Sequence, residues 1–316
     1  MRQPTFLQLH HETDEAVRAE LSHGLLEKTA RVAPKFLYDL LGSRLFDAIT
    51  ELPEYYPTRT ERWIFEHQRE SIAAVIGRGM TLVDLGAGNC EKAASWFDAL
   101  APQRYVAVDI SVEYLRQALG NLQQRHADLP MLGLGLDFSS QLRLPPQVGD
   151  GPRWLFYPGS SIGNFTPEQA LDLLTQARRE SQGGGLLIGV DLVKAPALLE
   201  AAYDDPLQVT AAFNRNLLNR LNQLLGCDAR VADFEHVGLY NAQAGRIEMH
   251  LQARRDVTLR WSGGERRLRA GERIHTENSY KYTLDSFGAL LASAGFGQIR
   301  HWTDPEQWFA VFSARD

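Results

Sequence analysis

The segment Asp84-Leu85-Gly86-Ala87-Gly88-Asn89-Cys90-Glu91 sets two glycines at a sharp backbone turn, where the missing Cβ lets a ligand come close. A nucleotide-type ligand suits such a turn. A dinucleotide fingerprint would place a third glycine at position 91, so that a helix N-terminus could approach a pyrophosphate; Glu91 stands there instead. A carboxylate at that point repels a diphosphate and tolerates the sulfonium and ammonium of S-adenosylmethionine. S-adenosylmethionine is therefore the expected cofactor, and NAD the poorer fit. Asp109 ends the next apolar segment, placed to accept hydrogen bonds from two ribose hydroxyls. Asp137 ends the one after, placed for an adenine amino group while Phe138 covers the base. With Lys92, which could reach the cofactor's carboxylate, these residues and Gly86 and Gly88 form the expected cofactor set. Ordinary roles compete: a solvated lysine, and helix caps or turns for the two acids. Cys90 reads as a small turn residue rather than a nucleophile.

A fourth apolar segment ends in Tyr157-Pro158-Gly159-Ser160-Ser161-Ile162-Gly163-Asn164-Phe165, a loop whose amide can both donate and accept. It differs from the Asn-Pro-Pro-Tyr loop used on bases and amides, so a substrate here is held differently.

Strands that present these loops follow from hydrophobic patterning. Residues 80–86, Tyr105–Asp109, Met131–Leu136, Trp154–Tyr157 and Gly185–Asp191 are short apolar runs, interleaved with helix-like stretches at Glu91–Leu100, Val112–Arg125 and Pro167–Ser181. That alternation predicts a mostly parallel sheet with helices on both faces. It stops after Asp191 and resumes as a helix at Leu284–Ala294 and two strands, Gly297–Trp302 and Trp308–Ala314, spaced for an antiparallel hairpin. The pattern is that of an α/β class I methyltransferase, a seven-stranded doubly wound sheet with a second, discontinuous α+β substrate domain inserted after its fifth strand. The expected division is 60–193 and 283–316 for the cofactor-binding domain, and 1–59 and 194–282 for a substrate-binding lid. In the insertion, Pro206–Leu225 has helical periodicity, and Ala229–Gly238, Gly245–Arg254 and Val257–Trp261 read as strands.

The 316 residues suffice for a sizeable core, with 44% hydrophobic and 23% charged residues. A net charge of -6 argues against nucleic acid and anionic membranes as partners and leaves a small molecule as the default. The two cysteines, Cys90 and Cys227, have neither disulfide-framework nor zinc spacing, and the histidines have no ligand spacing, so no metal is expected. Without an apolar leader or spanning run, the expectation is a cytoplasmic monomer.

Several blocks carry a resemblance: Leu37-Tyr38-Asp39, Leu52-Pro53-Glu54-Tyr55-Tyr56-Pro57-Thr58-Arg59, Gly159 to Asn164, Asp191-Leu192-Val193-Lys194, Ala202-Tyr203-Asp204-Asp205, Ala211-Ala212-Phe213-Asn214-Arg215-Asn216, Ile247-Glu248-Met249 and Thr276-Glu277-Asn278-Ser279-Tyr280-Lys281. Through them the chain resembles the histidine-specific Nα-methyltransferases that make hercynine on the route to ergothioneine, relatives of fungal dimethylallyltryptophan N-methyltransferases. The resemblance implies that Asn164 and Tyr203 hold the substrate carboxylate and that Glu277 and Ser279 bind the imidazole. It also implies that Tyr38, Tyr55 and the Gly159 carbonyl surround the amine, and that Met249 lines the pocket. Tyr38 and Tyr55 are then the catalytic candidates. Competing roles are a core position for Tyr55, a helix N-cap for Asn164, and a surface ion pair of Glu277 with Lys281 or Arg273. The family usually has threonine at Ser161, leucine at Phe165 and tyrosine at Asn278. The last departure leaves room for another amino acid such as tryptophan, and a noncatalytic S-adenosylmethionine-binding protein is the alternative from a different class.

Overall fold

The computed structural model describes residues 2–10, 13–110 and 112–316. The chain begins with strand β1 (Thr5–Gln8), followed by helices α1 (Asp14–Leu26), α2 (Leu40–Thr50), α3 (Tyr56–His67) and α4 (Arg69–Ile76). An alternating stretch comes next: β2 (Thr81–Leu85), α5 (Glu91–Ala94), α6 (Phe97–Leu100), β3 (Arg104–Asp109), α7 (Val112–Arg125), β4 (Met131–Gly135), β5 (Arg153–Tyr157), α8 (Pro167–Glu180) and β6 (Gly185–Asp191). Helices α9 (Pro196–Tyr203) and α10 (Val209–Leu225) lead into β7 (Phe234–Asn241), β8 (Arg246–Ala253), β9 (Val257–Trp261), β10 (Gly264–Leu268) and β11 (Arg273–Tyr280). Helix α11 (Leu284–Ser293) then precedes β12 (Gln298–Thr303) and β13 (Phe309–Arg315).

Strands β2, β4, β5 and β6 are buried along their whole length, which is why they read as continuous apolar runs. They belong to a sheet of order β1-β4-β3-β2-β5-β6-β13-β12, in which β13 alone runs antiparallel to its neighbours. The chain builds outward from β2 to β4, then returns to the other side of β2 with β5 and β6. The order therefore reverses between β2 and β5, and ligands of such sheets lie beyond the carboxyl ends at that reversal. Buried Trp96, Phe97, Tyr105, Phe156 and Phe309 fill the core on this sheet. This is the class I methyltransferase fold, with β1 added as an eighth strand.

The chain divides into two compact units, Met1–His11, Pro57–Val193 and Tyr282–Asp316 in one, and Glu12–Tyr56 and Lys194–Lys281 in the other. The second contains the sheets β11-β8-β7 and β10-β9, with α10 packed against α1, α2 and β7. Residues 1–59 are thus not one segment of that unit, a correction to the sequence-based division. Strand β1 pairs in parallel with β4, Phe6 opposite Gly133, and so extends the first sheet. The helix expected over Glu91–Leu100 is also broken in two, because the Ser95 hydroxyl donates to the Lys92 carbonyl and Trp96 N–H donates to Ala93, only three residues back. Helix α10 starts later than its periodicity suggests. Asp205 accepts from the N–H groups of Val209 and Thr210 at 2.9 and 2.8 Å and sets the first turn. Strands β1, β10 and β11 and helix α9 have no counterpart among the sequence-based elements.

Gly133 gives β1 its place: a Cβ there would stand 2.5 Å from the Phe6 ring and 2.9 Å from Leu119. A Gly133→Ala variant should therefore be destabilised by about 1–3 kcal/mol through overpacking, measured as a lowered midpoint in thermal or denaturant unfolding.

Candidate active site

In the first unit the glycine turn follows β2. Gly86 and Gly88 are both left-handed, with φ of 69° and 52°, and a Cβ on Gly88 would meet nothing within 4 Å. The turn is pinned from β3, where Asp109 accepts the Gly88 N–H at 3.0 Å. Phe138 lies alongside, its ring edge 3.9 Å from where a Gly86 Cβ would be and its ring edge-on to Tyr157 at 5.7 Å. Asp137, buried, accepts from the backbone N–H and hydroxyl of Ser139, so it is a turn residue whatever else it binds. Open space over a left-handed glycine turn, two carboxylates and an aromatic face suit an adenosyl group with an amino-acid tail.

Of two neighbours, Glu91 departs from the sequence-based reading and Cys90 keeps to it as a turn residue without nucleophilic character. Glu91 is half-exposed and pairs with Arg125, so its charge is directed away from the turn. Cys90 is fully buried in a left-handed conformation (φ 64°), and burial pushes its thiol up to about 12, which leaves no thiolate at neutral pH.

Lys92 is not simply solvated. Its Nζ donates to Glu61 Oε2 at 2.7 Å, and the other Glu61 oxygen accepts the Gly159 N–H at 2.7 Å. Gly159 itself needs its residue type, with φ of 79°. Farther along the same loop, Asn164 ends a short 3-10 turn, Ser161–Asn164. The cap of α8 is Thr166, which accepts from Gln169 N–H and closes a capping box, so Asn164 is released from that role.

The second unit gathers the other expected residues. Tyr55, Tyr203, Met249 and Glu277 line one small cavity with Phe46 and Phe213. Tyr38 packs edge-on against Phe46 and Phe213 at 5.7 and 5.4 Å, and Tyr55 edge-on against Phe46 and Tyr203 at 6.2 Å each. The result is an aromatic cage. Tyr203 Oη lies 2.8 Å from Ser279 Oγ, and Lys281 Nζ donates to both at 3.2 and 2.7 Å.

Glu277 is the chemically distinctive member. It is 7% exposed, its Oε2 has no hydrogen-bond partner, and burial pushes its carboxyl up to about 8 against the opposing pull of Lys281. A surface ion pair is ruled out by geometry: Lys281 turns to Tyr203 and Ser279, while Arg273 donates to Gln252. A bulge aims it. Ile274 pairs with Leu251 and Glu277 with Met249, so Thr276 is the extra residue in β11, and it donates its hydroxyl to the Met249 carbonyl at 3.0 Å. Without the extra residue, alternation would turn Thr276 and Asn278 to the cavity and Glu277 and Ser279 away. Asn278 instead accepts from His275 at 2.8 Å on the opposite face, so it does not close the pocket.

Sequence reasoning missed Glu61, Lys281 and the cage residues Phe46 and Phe213. Glu61 sits in an ordinary charged helix pattern, Thr60-Glu61-Arg62, and its burial to 1% has no local signal. Among the described residues no cluster of side chains suits a metal ion, and no helix is long and apolar enough to cross a membrane.

A family profile described as histidine-specific, S-adenosylmethionine-dependent methyltransferase matches residues 17–316. The chain belongs to that family. It is 39% identical over 304 residues to a histidine N-alpha-methyltransferase of Mycolicibacterium smegmatis, covering 94% of both chains. It is 31% identical over 278 residues to ergothioneine biosynthesis protein 1 of Neurospora crassa, covering 84% of this chain and 31% of that one. A solved structure from Bordetella parapertussis, described as a possible exported protein, shares the fold with a TM-score of 0.50 at 16% identity, over 95% of this chain and 87% of the other. The enzyme is an S-adenosylmethionine-dependent methyltransferase acting on a small amino-acid substrate.

Because its pKa is raised on folding, Glu277 contributes stability that is fully present below the ordinary carboxyl value of 4.5 and lost as the pH rises through about 8. Glu277→Gln should therefore gain stability relative to the parent as pH rises across that window, by up to about 1.4 kcal/mol per pH unit. Ligand-free unfolding midpoints of the two proteins at pH 5, 6.5 and 8 (about one to two units apart, spanning the titration) check this; a pH-independent difference would contradict it.

Proposed function

We propose that this methyltransferase transfers methyl groups to the α-amino nitrogen of free L-histidine, three in succession, giving hercynine. The observation that carries the reading is the buried Glu277 carboxyl with an unpartnered oxygen, two residues from the Ser279 hydroxyl on the same face of β11. An imidazole has one N–H and one lone pair, and a carboxyl beside a hydroxyl can match both. A phenyl ring would leave the buried carboxyl unmatched, and an indole, which has an N–H but no ring lone pair, would satisfy only one of the two groups, a loss that sites built to hydrogen-bond their substrate convert into selectivity. Relatives named as histidine N-alpha-methyltransferases support the same substrate.

S-adenosylmethionine supplies an electrophilic methyl on a sulfonium, and Gly86, Gly88, Lys92, Asp109, Asp137 and Phe138 are the residues to hold it. In-line displacement by an amine needs alignment more than bond-making help, so these residues act by positioning. Tyr203 and Asn164 are assigned to the substrate carboxylate, Met249 to the pocket wall, and the Gly159 carbonyl and Tyr55 to the amine. Tyr38 is assigned beside the α-ammonium, where its phenol oxygen accepts a hydrogen bond from the nitrogen while the proton that must be lost passes to water and out to solvent. Each methylated product is a better cation for the cage, and each aromatic face attracts it by about 0.5–2 kcal/mol. Retention of the mono- and dimethyl forms favours a third transfer. The reading includes a monomeric, cytoplasmic enzyme.

Mass spectrometry of the products from histidine should show the trimethylated amino acid as the end point; arrest at one methyl would overturn the three-step reading. Glu277→Ala should raise the histidine KM by about two orders of magnitude, the loss of a charged or polar partner worth roughly 3 kcal/mol, while S-adenosylhomocysteine affinity stays near that of the parent.

A further inference from the structure

We propose that Glu61 is a positioning residue that joins the methyl-donor site to the loop after β5. This rests on the methyl-transfer reading of that turn, and the test below separates the two. The side chain of Glu61 is 1% exposed, yet it contacts two residues of the expected site at once: Oε2 takes Lys92 Nζ and Oε1 takes the Gly159 N–H, each at 2.7 Å. The fold reserves room for the carboxylate, since a Cβ on Gly189 of β6 would lie 2.2 Å from its Oε1. A charge so buried is costly unless paired and hydrogen-bonded, and both of its oxygens are committed in just that way.

The consequences differ for the two partners. Lys92 is 41% exposed and, with a flexible stem, would swing toward water without an anion to hold it beside the glycine turn. Glu61 therefore orders in advance the ammonium assigned to the cofactor's carboxylate. Gly159 is held in a left-handed conformation by the same carboxylate, which orients the loop whose next peptide carries the carbonyl assigned to the amine. Glu61 touches neither reactant in this account and acts through these two residues.

The test is a double-mutant cycle read by calorimetric titration of S-adenosylhomocysteine into the parent, Glu61→Gln, Lys92→Met and the double variant. Glu61→Gln should weaken binding about tenfold, as expected for a lost close charge pair, and should add nothing in the Lys92→Met background. Unchanged or tighter binding in Glu61→Gln, or penalties that multiply in the double variant, overturns the proposal. Turnover separates the second contact: kcat at saturation should fall about tenfold in Glu61→Ala, with Glu61→Gln in between because its amide oxygen still accepts from Gly159. A Glu61→Gln enzyme as impaired as Glu61→Ala would overturn the Gly159 arm. If the parent binds S-adenosylhomocysteine but methylates no histidine, the substrate reading fails while the binding cycle still decides the role of Glu61.

Discussion

A carboxyl group shut away from water with one oxygen unmatched is expensive, and the second unit is organised around that expense. Glu277 reaches its position because one extra residue in β11 reverses the alternation of the strand, and Thr276 secures that residue by donating to Met249. The same reversal sends Asn278 to His275 and brings Ser279 beside Tyr203. A single backbone irregularity thereby decides which of two sets of side chains faces the cavity.

The walls around it are held by acids with purely structural work. Asp205 caps α10, and although its burial alone would raise its pKa, the N–H groups of Thr210 and Val209 hold it below the ordinary carboxylate value. Asp39 caps α2 through Gly42 N–H and accepts from Asn216 of α10. Those two helices carry Phe46 and Phe213. The aromatic cage is therefore as rigid as the helix starts beneath it.

The sheet was legible in the sequence because strands covered on both faces leave unbroken apolar runs, and the glycine turn because Gly86 and Gly88 announce left-handed backbone. The second unit was less so. Strand β11 carries a bulge that spoils its two-residue period, and α9, which carries Tyr203 at its C-terminal end, is only eight residues long. Its pocket is assembled from Tyr55, Tyr203, Met249 and Glu277, far apart in the chain, so no local spacing could have united them; the resemblance alone pointed to them. Glu61 escaped for the opposite reason, since charged residues on helices are ordinary and only burial distinguishes this one. Glu91 pairs with Arg125, a partner its position in the sequence did not suggest, while the S-adenosylmethionine inferred from it is the cofactor of the family.

Strand β1 has an effect that reaches beyond the fold of one molecule. By lying along β4 it occupies backbone donors and acceptors that would otherwise form an open border of the large sheet. At the opposite border, β12 turns exposed Arg300 and His301 to solvent. One border is thus reduced to an edge strand of four residues and the other is guarded by polar groups, so chains crowded together in solution find little template on which to grow intermolecular sheets.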